Sequence, residues 1–291
     1  MKGRKTFLFT TAIMLFGIGP SMAGTWTTFD MPGASRTYIY GINGNNVIGQ
    51  YWDGSHERGF LYNGTTWTRL DMPGANDTWV YGVDGSNIIG ESNWGGSYAQ
   101  GFLYNGTTWT ILDFPGSNGT AIYGIDGRNL VGGYWDTSGG WHSFLYDGTT
   151  WNTHDKPGAL STEIRDISGG NSVGYYYDGS HDHSFLYNGT TWTQLDFPGA
   201  GGTWVYGVDG DNLVGSYSNA YGVHGFLYNG TSWTTIDMLG SSSTLINGIS
   251  GNYLFGSFED ISGTHGFVYE IPEPATLLLF SLGTLALRKK K

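Results

Sequence analysis

The sequence predicts an all-β fold, a six-bladed β-propeller whose four-stranded repeats are about 41 residues long. One observation is a tryptophan that recurs six times at intervals of 41 or 42 residues. A second is the alternation of short β-rich runs with Asn-Gly or Asp-Gly dipeptides, which favour tight hairpins. No segment between the two termini has the hydrophobic period of a helix. The recurring tryptophans are Trp26, Trp67, Trp109, Trp151, Trp192 and Trp233.

Each repeat divides into four predicted strands. In the second repeat they cover residues 66–71, 78–83, 87–93 and 101–104. A DMPGAND segment links the first two, and Asp84-Gly85, a glycine-rich loop and Asn105-Gly106 supply the other turns. We expect the DMPGAND link and its counterparts to join the outer strand of one blade to the inner strand of the next.

The two ends of the repeat region are complementary halves of one hairpin. The chain begins its first repeat with GTWTTFD at 24–30, and the last repeat ends with GFVYE at 266–270, whereas every other copy contains both halves. We therefore predict that these segments pair as the outermost strands of the last blade and close the ring. Two-residue turns would place Phe60 opposite Trp67, Arg58 opposite Arg69 and, at the ring closure, Phe267 opposite Trp26.

Composition bounds the partners and the compartment. The 291-residue chain has no cysteine, so a folded body must depend on its core or on a closed topology. Residues 24–270 carry 23 acidic and six basic side chains, a net charge of −17. Phosphate backbones would be repelled by this charge, which excludes nucleic acid as an expected partner. The region 24–270 is predicted to be one repeat domain.

The N-terminal residues 1–23 have the pattern of a signal peptide. Lys2, Arg4 and Lys5 precede an apolar run from 7 to 19, and Ser21-Met22-Ala23 has the small-x-small form of a cleavage site. Signal peptidase is therefore expected to cut between Ala23 and Gly24 and to release the repeat region across the inner membrane.

The repeated phrases LDMPGA, YGVDG, NLVGSY and HGFLYNG resemble the HAF-type extracellular repeats of bacterial exported proteins over nearly all of 24–270. The resemblance implies a secreted repeat protein and supplies no catalytic residues. Two repeats depart from the pattern. The fourth has Arg165-Asp166-Ile167 where others have Tyr-Gly-Ile or Tyr-Gly-Val, and the sixth has Leu239 where others have proline. Local irregularity of these two blades is expected.

The C-terminal residues 271–291 resemble the PEP-CTERM sorting signal of Gram-negative bacteria. A Pro-Glu-Pro motif, an apolar stretch at 275–287 and a basic end follow one another, formed by Pro272, Glu273, Pro274, Arg288, Lys289, Lys290 and Lys291. The resemblance implies processing by an exosortase, often in cells that make extracellular polysaccharide. As a helix the apolar stretch would span only about 20 Å, against about 30 Å of hydrocarbon. A transient hold in the inner membrane is thus expected, with an uncleaved short anchor as the alternative.

Two repeated polar positions are candidates for chemistry. Aspartates precede the Pro-Gly turns or their variant at Asp30, Asp71, Asp113, Asp155, Asp196 and Asp237. Histidines lie two residues before the repeated phenylalanine at His142, His183, His224 and His265, with Arg58 and Gln100 at this position in the first two repeats. We interpret the aspartates as turn acceptors and the histidines as packing or hydrogen-bonding groups. The local cluster Asp178, His181, Asp182 and His183 is the one place where a metal test is warranted, and no cofactor is predicted.

Single-copy residues are the expected ligand contacts, because function in a repeat protein often breaks its symmetry. They are Trp94, Trp141 and Arg165. The repeated tryptophans could instead stack on sugars, although their phenylalanine partners favour a structural role.

Together these features predict an exported, non-catalytic cell-surface or extracellular-matrix protein that serves as an interaction or structural scaffold in the exopolysaccharide layer. A lectin-like glycan-binding propeller is the alternative. A glycoside-processing enzyme is a third possibility, which would need two carboxylates about 5–10 Å apart in one cleft. The sequence marks no such pair.

Overall fold

A computed structural model describes residues 24–96 and 98–272 and confirms the all-β, six-bladed propeller. The predicted signal peptide at 1–23 and the predicted short apolar helix and basic end within 273–291 lie outside the described residues. Within the described part of the chain no helix is long and apolar enough to cross a membrane.

Twenty-four strands form six antiparallel four-stranded sheets in the described residues. In chain order they are β1 Thr25–Thr28, β2 Thr37–Asn43, β3 Asn46–Trp52, β4 Glu57–Tyr62, β5 Trp67–Leu70, β6 Asp77–Asp84, β7 Asn87–Asn93, β8 Gln100–Tyr104, β9 Trp109–Ile111, β10 Gly119–Asp126, β11 Asn129–Trp135, β12 Trp141–Tyr146, β13 Trp151–Thr153, β14 Ser161–Ser168, β15 Asn171–Tyr177, β16 Asp182–Tyr187, β17 Trp192–Gln194, β18 Gly202–Asp209, β19 Asn212–Asn219, β20 Gly222–Tyr228, β21 Trp233–Thr235, β22 Ser243–Ser250, β23 Tyr253–Asp260 and β24 Gly263–Glu270. Blades one to five take four consecutive strands each from β2 onwards, with the first as the inner strand. Blade six has the order β22-β23-β24-β1.

The predicted ring closure is confirmed, but the predicted register is wrong by two residues. Strand β1 pairs antiparallel with β24, with Trp26 opposite Tyr269 and Thr28 opposite Phe267. The same shift places Arg69 opposite Phe60 and Trp67 opposite Tyr62. Side chains alternate between the two faces of a strand, so a shift of two residues keeps every side chain on its predicted face. Trp26 therefore still contacts Phe267, with ring centroids 4.8 Å apart.

The register differs because the outer hairpins have four-residue loops rather than two-residue turns. In blade one the Asn63 amide donates to the Thr66 carbonyl at 3.3 Å. The Asn63 Oδ1 atom accepts from the amides of Thr65 and Thr66 at 3.0 and 2.9 Å. This local side-chain bonding favours the longer loop over the tight turn that Asn-Gly alone indicates.

The core lies between neighbouring blades. The phenylalanine of each third strand, such as Phe102, is fully buried and packs with aliphatic side chains of its own blade and of the preceding one, including Ile48 and Val80. The repeated tryptophans are half-buried and contact this layer. Trp67, for example, lies 5.0 Å from Phe60 between ring centroids. These contacts agree with the structural interpretation of the tryptophans.

A buried threonine holds each link between blades, and this device was missed from the sequence. In the fourth link the Lys156 amide donates to Thr162 Oγ1 at 2.9 Å. The same bond recurs at Thr37, Thr78, Thr120, Thr203 and Thr244. The sixth link keeps its turn although Leu239 replaces proline, since the Ser241 amide donates to the Met238 carbonyl at 3.2 Å.

Candidate binding site in the central channel

The inner strand of each blade contains a β-bulge at the same repeat position. A bulge leaves one residue unpaired and re-aims its side chain. Here all six bulged residues line one cavity on the propeller axis. They are Tyr40, Tyr81, Tyr123, Arg165, Tyr206 and Asn247. We call this set the axial ring.

Aromatic contacts connect the members of the axial ring. Tyr81 lies 5.4 Å from Tyr40 and 5.2 Å from Tyr123 between ring centroids. The guanidinium carbon of Arg165 lies 4.3 Å from the ring centre of Tyr123 and 5.4 Å from that of Tyr206. Asn247 completes the ring, because its side-chain amide donates to the Ile39 carbonyl of blade one at 3.0 Å.

Arg165 is held in the channel as a cation. Its Nη1 atom donates to Glu163 Oε1 at 2.7 Å, and about a quarter of each side chain is exposed. Burial opposes the charge, but the Glu163 carboxylate outweighs it and raises the pKa of Arg165. Burial also raises the pKa of Tyr40 and of Tyr123, so both are neutral phenols. The sequence singled out Arg165 but not the tyrosines around it.

The cavity has a volume of about 260 Å³ and reaches from the axial ring to the turns that follow the inner strands. Just beyond the ring the inner strands approach closely. A Cβ on Gly207 would lie 2.7 Å from the Cα of Gly248, so glycine is required there. Only the fourth blade differs, with Asp166. Its Oδ2 atom accepts the Val208 amide at 2.9 Å, which ties blade four to blade five.

Carboxylates surround the mouth of the cavity over blades two to five. Asp84, Asp126 and Asp209 end their inner strands, and each accepts a glycine amide of the next blade at 2.7–2.9 Å. Burial raises the pKa of Asp166 to about 7, with Asp126 and Asp209 adding to the shift. Blades six and one contribute the neutral side chains of Ser250 and Asn43.

The repeated aspartates and histidines form couples near the opposite face. His142 Nδ1 lies 2.7 Å from Asp155 Oδ2, while Asp155 Oδ1 accepts the Ser143 amide at 2.8 Å. The same histidine contact recurs at 2.8 Å in His183–Asp196, His224–Asp237 and His265–Asp30. Gln100 binds Asp113 at 2.9 Å in blade two. In these five blades the aspartate thus joins the end of its outer strand to the third strand, which corrects its predicted role as a turn acceptor. In blade one Asp71 is instead paired with Arg69, and Arg58 Nη1 lies 3.7 Å from its carboxylate.

The side chains of the local cluster in blade four are engaged by groups of blades four and five. His183 bridges Asp178 and Asp196, and Asp182 accepts the indole N–H of Trp204 at 3.1 Å. His181 Nδ1 lies 3.1 Å from Ser180 Oγ. Among residues 24–96 and 98–272 no group of three or more acidic or histidine side chains is arranged to hold a metal ion.

The three predicted ligand contacts are not brought together. Arg165 lies on the axis. Trp94 lies in the connection between β7 and β8, and Trp141 is the first residue of β12, both toward the face opposite the cavity mouth. There Trp141 packs against Trp135 with ring centroids 5.1 Å apart, and Trp135 lies 6.2 Å from Tyr98. We call Tyr98, Trp135 and Trp141, which lie across blades two and three, the aromatic row.

Comparison with known proteins identifies the C-terminal segment. Residues 270–291 match the PEP-CTERM protein-sorting motif. This confirms that the C-terminal segment carries a PEP-CTERM sorting motif. The motif is the exosortase recognition signal, and it implies export to the cell surface or the extracellular space with exosortase as a processing partner. The HAF-type resemblance stays a prediction, and no curated protein matches the sequence.

Solved structures show the same fold at low sequence identity. TolB from Acinetobacter baumannii is 13% identical with a TM-score of 0.53, over 83% of this chain and 65% of that one. The β-propeller domain of the Trilobed protease from Pyrococcus furiosus is 11% identical with a TM-score of 0.51, over 82% and 96%. Aleuria aurantia lectin is 14% identical with a TM-score of 0.49, over 81% and 95%. The two likenesses with a TM-score above 0.5 show the fold alone.

Proposed function

We propose that the propeller is a non-catalytic interaction module that exosortase-dependent sorting delivers to the cell surface or the extracellular polymer layer. One observation carries this proposal. The two ends of the propeller and the exposed aromatic side chains lie on opposite faces. Thr25 is paired with Glu270, and the Ile271 amide donates to the Asn252 carbonyl at 2.8 Å, in the turn of an inner strand. Both ends therefore leave from the face that carries the cavity mouth.

Large exposed apolar side chains gather at the opposite face, in or beside the connections between second and third strands and the links between blades. They are Trp94, Tyr98, Trp135, Leu160, Tyr177, Tyr221, Leu239 and Ile261. While the tail is held at the membrane, this face points outward. Exposed aromatic side chains are characteristic of interaction sites.

The repeated polar groups support a role without catalysis. The aspartate–histidine couples are used to hold strands together, and Glu163 in the channel is paired with Arg165. A hydrolase would instead need an acid and a base free to reach one substrate bond. We also propose that signal peptidase releases the protein and that the propeller associates with exopolysaccharide.

Sorting is tested in the native host by comparing the natural chain with a variant in which Pro272, Glu273 and Pro274 are replaced by alanine. We expect the natural protein outside the cell to lack its basic end by mass spectrometry, and the variant to stay at the membrane. An intact Arg-Lys-Lys-Lys terminus on the extracellular protein would contradict the processing step.

Activity screening on the host polysaccharide tests the absence of catalysis, and release of reducing ends would overturn it.

Glycan binding by the aromatic row is the second candidate function. Tyr98 and Trp135 are 41% and 38% exposed, and the side-chain amide of Asn118 donates to the Asp136 carbonyl at 2.9 Å, next to Trp135. Aromatic faces with a few fixed polar groups suit recognition of sugars.

Trp135→Ser introduces the residue that blade five has at this position, Ser218. We expect it to abolish binding to host polysaccharide, while Tyr221→Ser, on the same face, leaves binding unchanged. Equal binding by both variants would reject the row.

A further inference from the structure

The axial cavity combines aromatic walls with an excess of negative charge. Tyrosines of the axial ring form its inner end, and its mouth carries Asp84, Asp126, Asp166 and Asp209. We propose that this cavity is a binding site for a small organic ammonium ion, separate from the aromatic row on the opposite face.

The axial ring already binds an organic cation of the chain itself. The guanidinium of Arg165 lies over Tyr123 at 4.3 Å and near Tyr206 and Tyr175 at 5.4 and 6.0 Å. The aromatic faces on the axis therefore attract positive charge in a partly desolvated place, where cation–π attraction is strongest. This observation is independent of the carboxylates, and it shows that these ring faces suit an organic cation.

Positive groups of the described chain do not neutralise the carboxylates at the mouth. Arg165, the one basic side chain that lines the cavity, donates to Glu163 at 2.7 Å on the inner side. Arg128 lies in the turn after Asp126 but packs over Gly148 in the outer part of its blade. A cation at the mouth would thus meet uncompensated negative charge.

Asp166 is an acidic residue that only the fourth blade contributes to this cavity. The other five blades have glycine at this position, and a side chain is accommodated only in blade four. The substitution places a carboxyl group between Asp126 and Asp209, where burial and these two charges raise its pKa to about 7. A bound ammonium ion would favour its ionised form. The volume of about 260 Å³ restricts the ligand to a molecule of a few heavy atoms.

Calorimetric titration of the full chain tests the proposal, with putrescine and tetramethylammonium as cationic probes and 1,4-butanediol as the uncharged counterpart of putrescine. The test variant is Asp166→Gly, which restores the residue of the other blades. The matched control is Asp147→Asn, which removes a carboxylate from an outer loop and also restores the residue of other repeats. Thermal unfolding verifies that both variants fold.

We expect saturable binding of at least one cationic probe in about 150 mM salt, where diffuse attraction is screened within about 8 Å. Asp166→Gly should weaken it about tenfold and Asp147→Asn less than about twofold. Equal weakening in the two variants would show diffuse attraction to an acidic protein and overturn the proposal. Butanediol binding as tight as putrescine binding, or no saturable binding of either cation, would also overturn it.

Discussion

At the scale of the residue, most repeated polar side chains stabilise the blades. The hydrogen bond that His142 donates to the Asp155 carboxylate raises the pKa of His142. Partial burial opposes protonation of His183 and His265, but Asp196 and Asp30 outweigh it and raise both pKa values. A histidine with a raised folded-state pKa stabilises the fold fully below its unfolded value of about 6.5, and this contribution is lost as the pH rises through the folded value.

The couples therefore predict greater stability at pH 6 than at pH 8. Asp166 acts in the same direction, since its folded pKa of about 7 lies above that of an unfolded carboxyl group. We expect the unfolding midpoint to fall by about 2–4 °C between pH 6 and pH 8. Replacing His142, His183 and His265 with glutamine, the residue of blade two, should reduce this dependence and leave the part due to Asp166. An unchanged slope in the triple variant, measured by circular dichroism, would reject the couples as its source.

At the scale of the element, the sequence predicted strands better than the bonds between them. The strand predicted at 87–93 coincides with β7. The other three predicted strands of that repeat differ from β5, β6 and β8 by one residue, at one or both ends. The hairpin register was wrong because Asn63 binds two amides of its own loop, a choice that Asn-Gly does not reveal. The axial ring was missed because a β-bulge depends on how strands pair, although the repeated Tyr-Gly phrase was its signal.

The links between blades depend on the buried threonines. Thr162 is 2% exposed, and its hydroxyl satisfies the Lys156 amide. Thr162→Val keeps the shape and removes the acceptor, so we expect a loss of about 1–3 kcal/mol in the free energy of unfolding. Thr193→Val, on the exposed face of β17, is the control and should change stability by less than about 0.5 kcal/mol. Chemical denaturation measures both, and equal effects would contradict the capping role.

At the scale of the whole molecule, closure by the two chain ends follows from the sequence because each end contains the half-hairpin that the other lacks. Trp26 lies opposite Tyr269 just as Trp67 lies opposite Tyr62. The last blade is therefore equivalent to the others except that its outer loop is missing. Without β1, the edge of β24 would be left unpaired, and exposed edges favour aggregation.

This equivalence predicts that the propeller can be circularly permuted. Joining Tyr269 to Trp26 through Asn-Gly-Thr-Thr, the loop of residues 63–66, and opening the chain within 105–108 moves the termini from blade six to blade two. Because every blade keeps four strands, we expect a monomeric protein with the natural β-sheet spectrum and an unfolding midpoint within about 5 °C of the natural one. Deletion of 24–30 should instead produce aggregates in size-exclusion chromatography. A soluble, equally stable deletion variant would show that the ring does not need its closing strand, and a permutant that fails to fold would contradict the equivalence of the last blade.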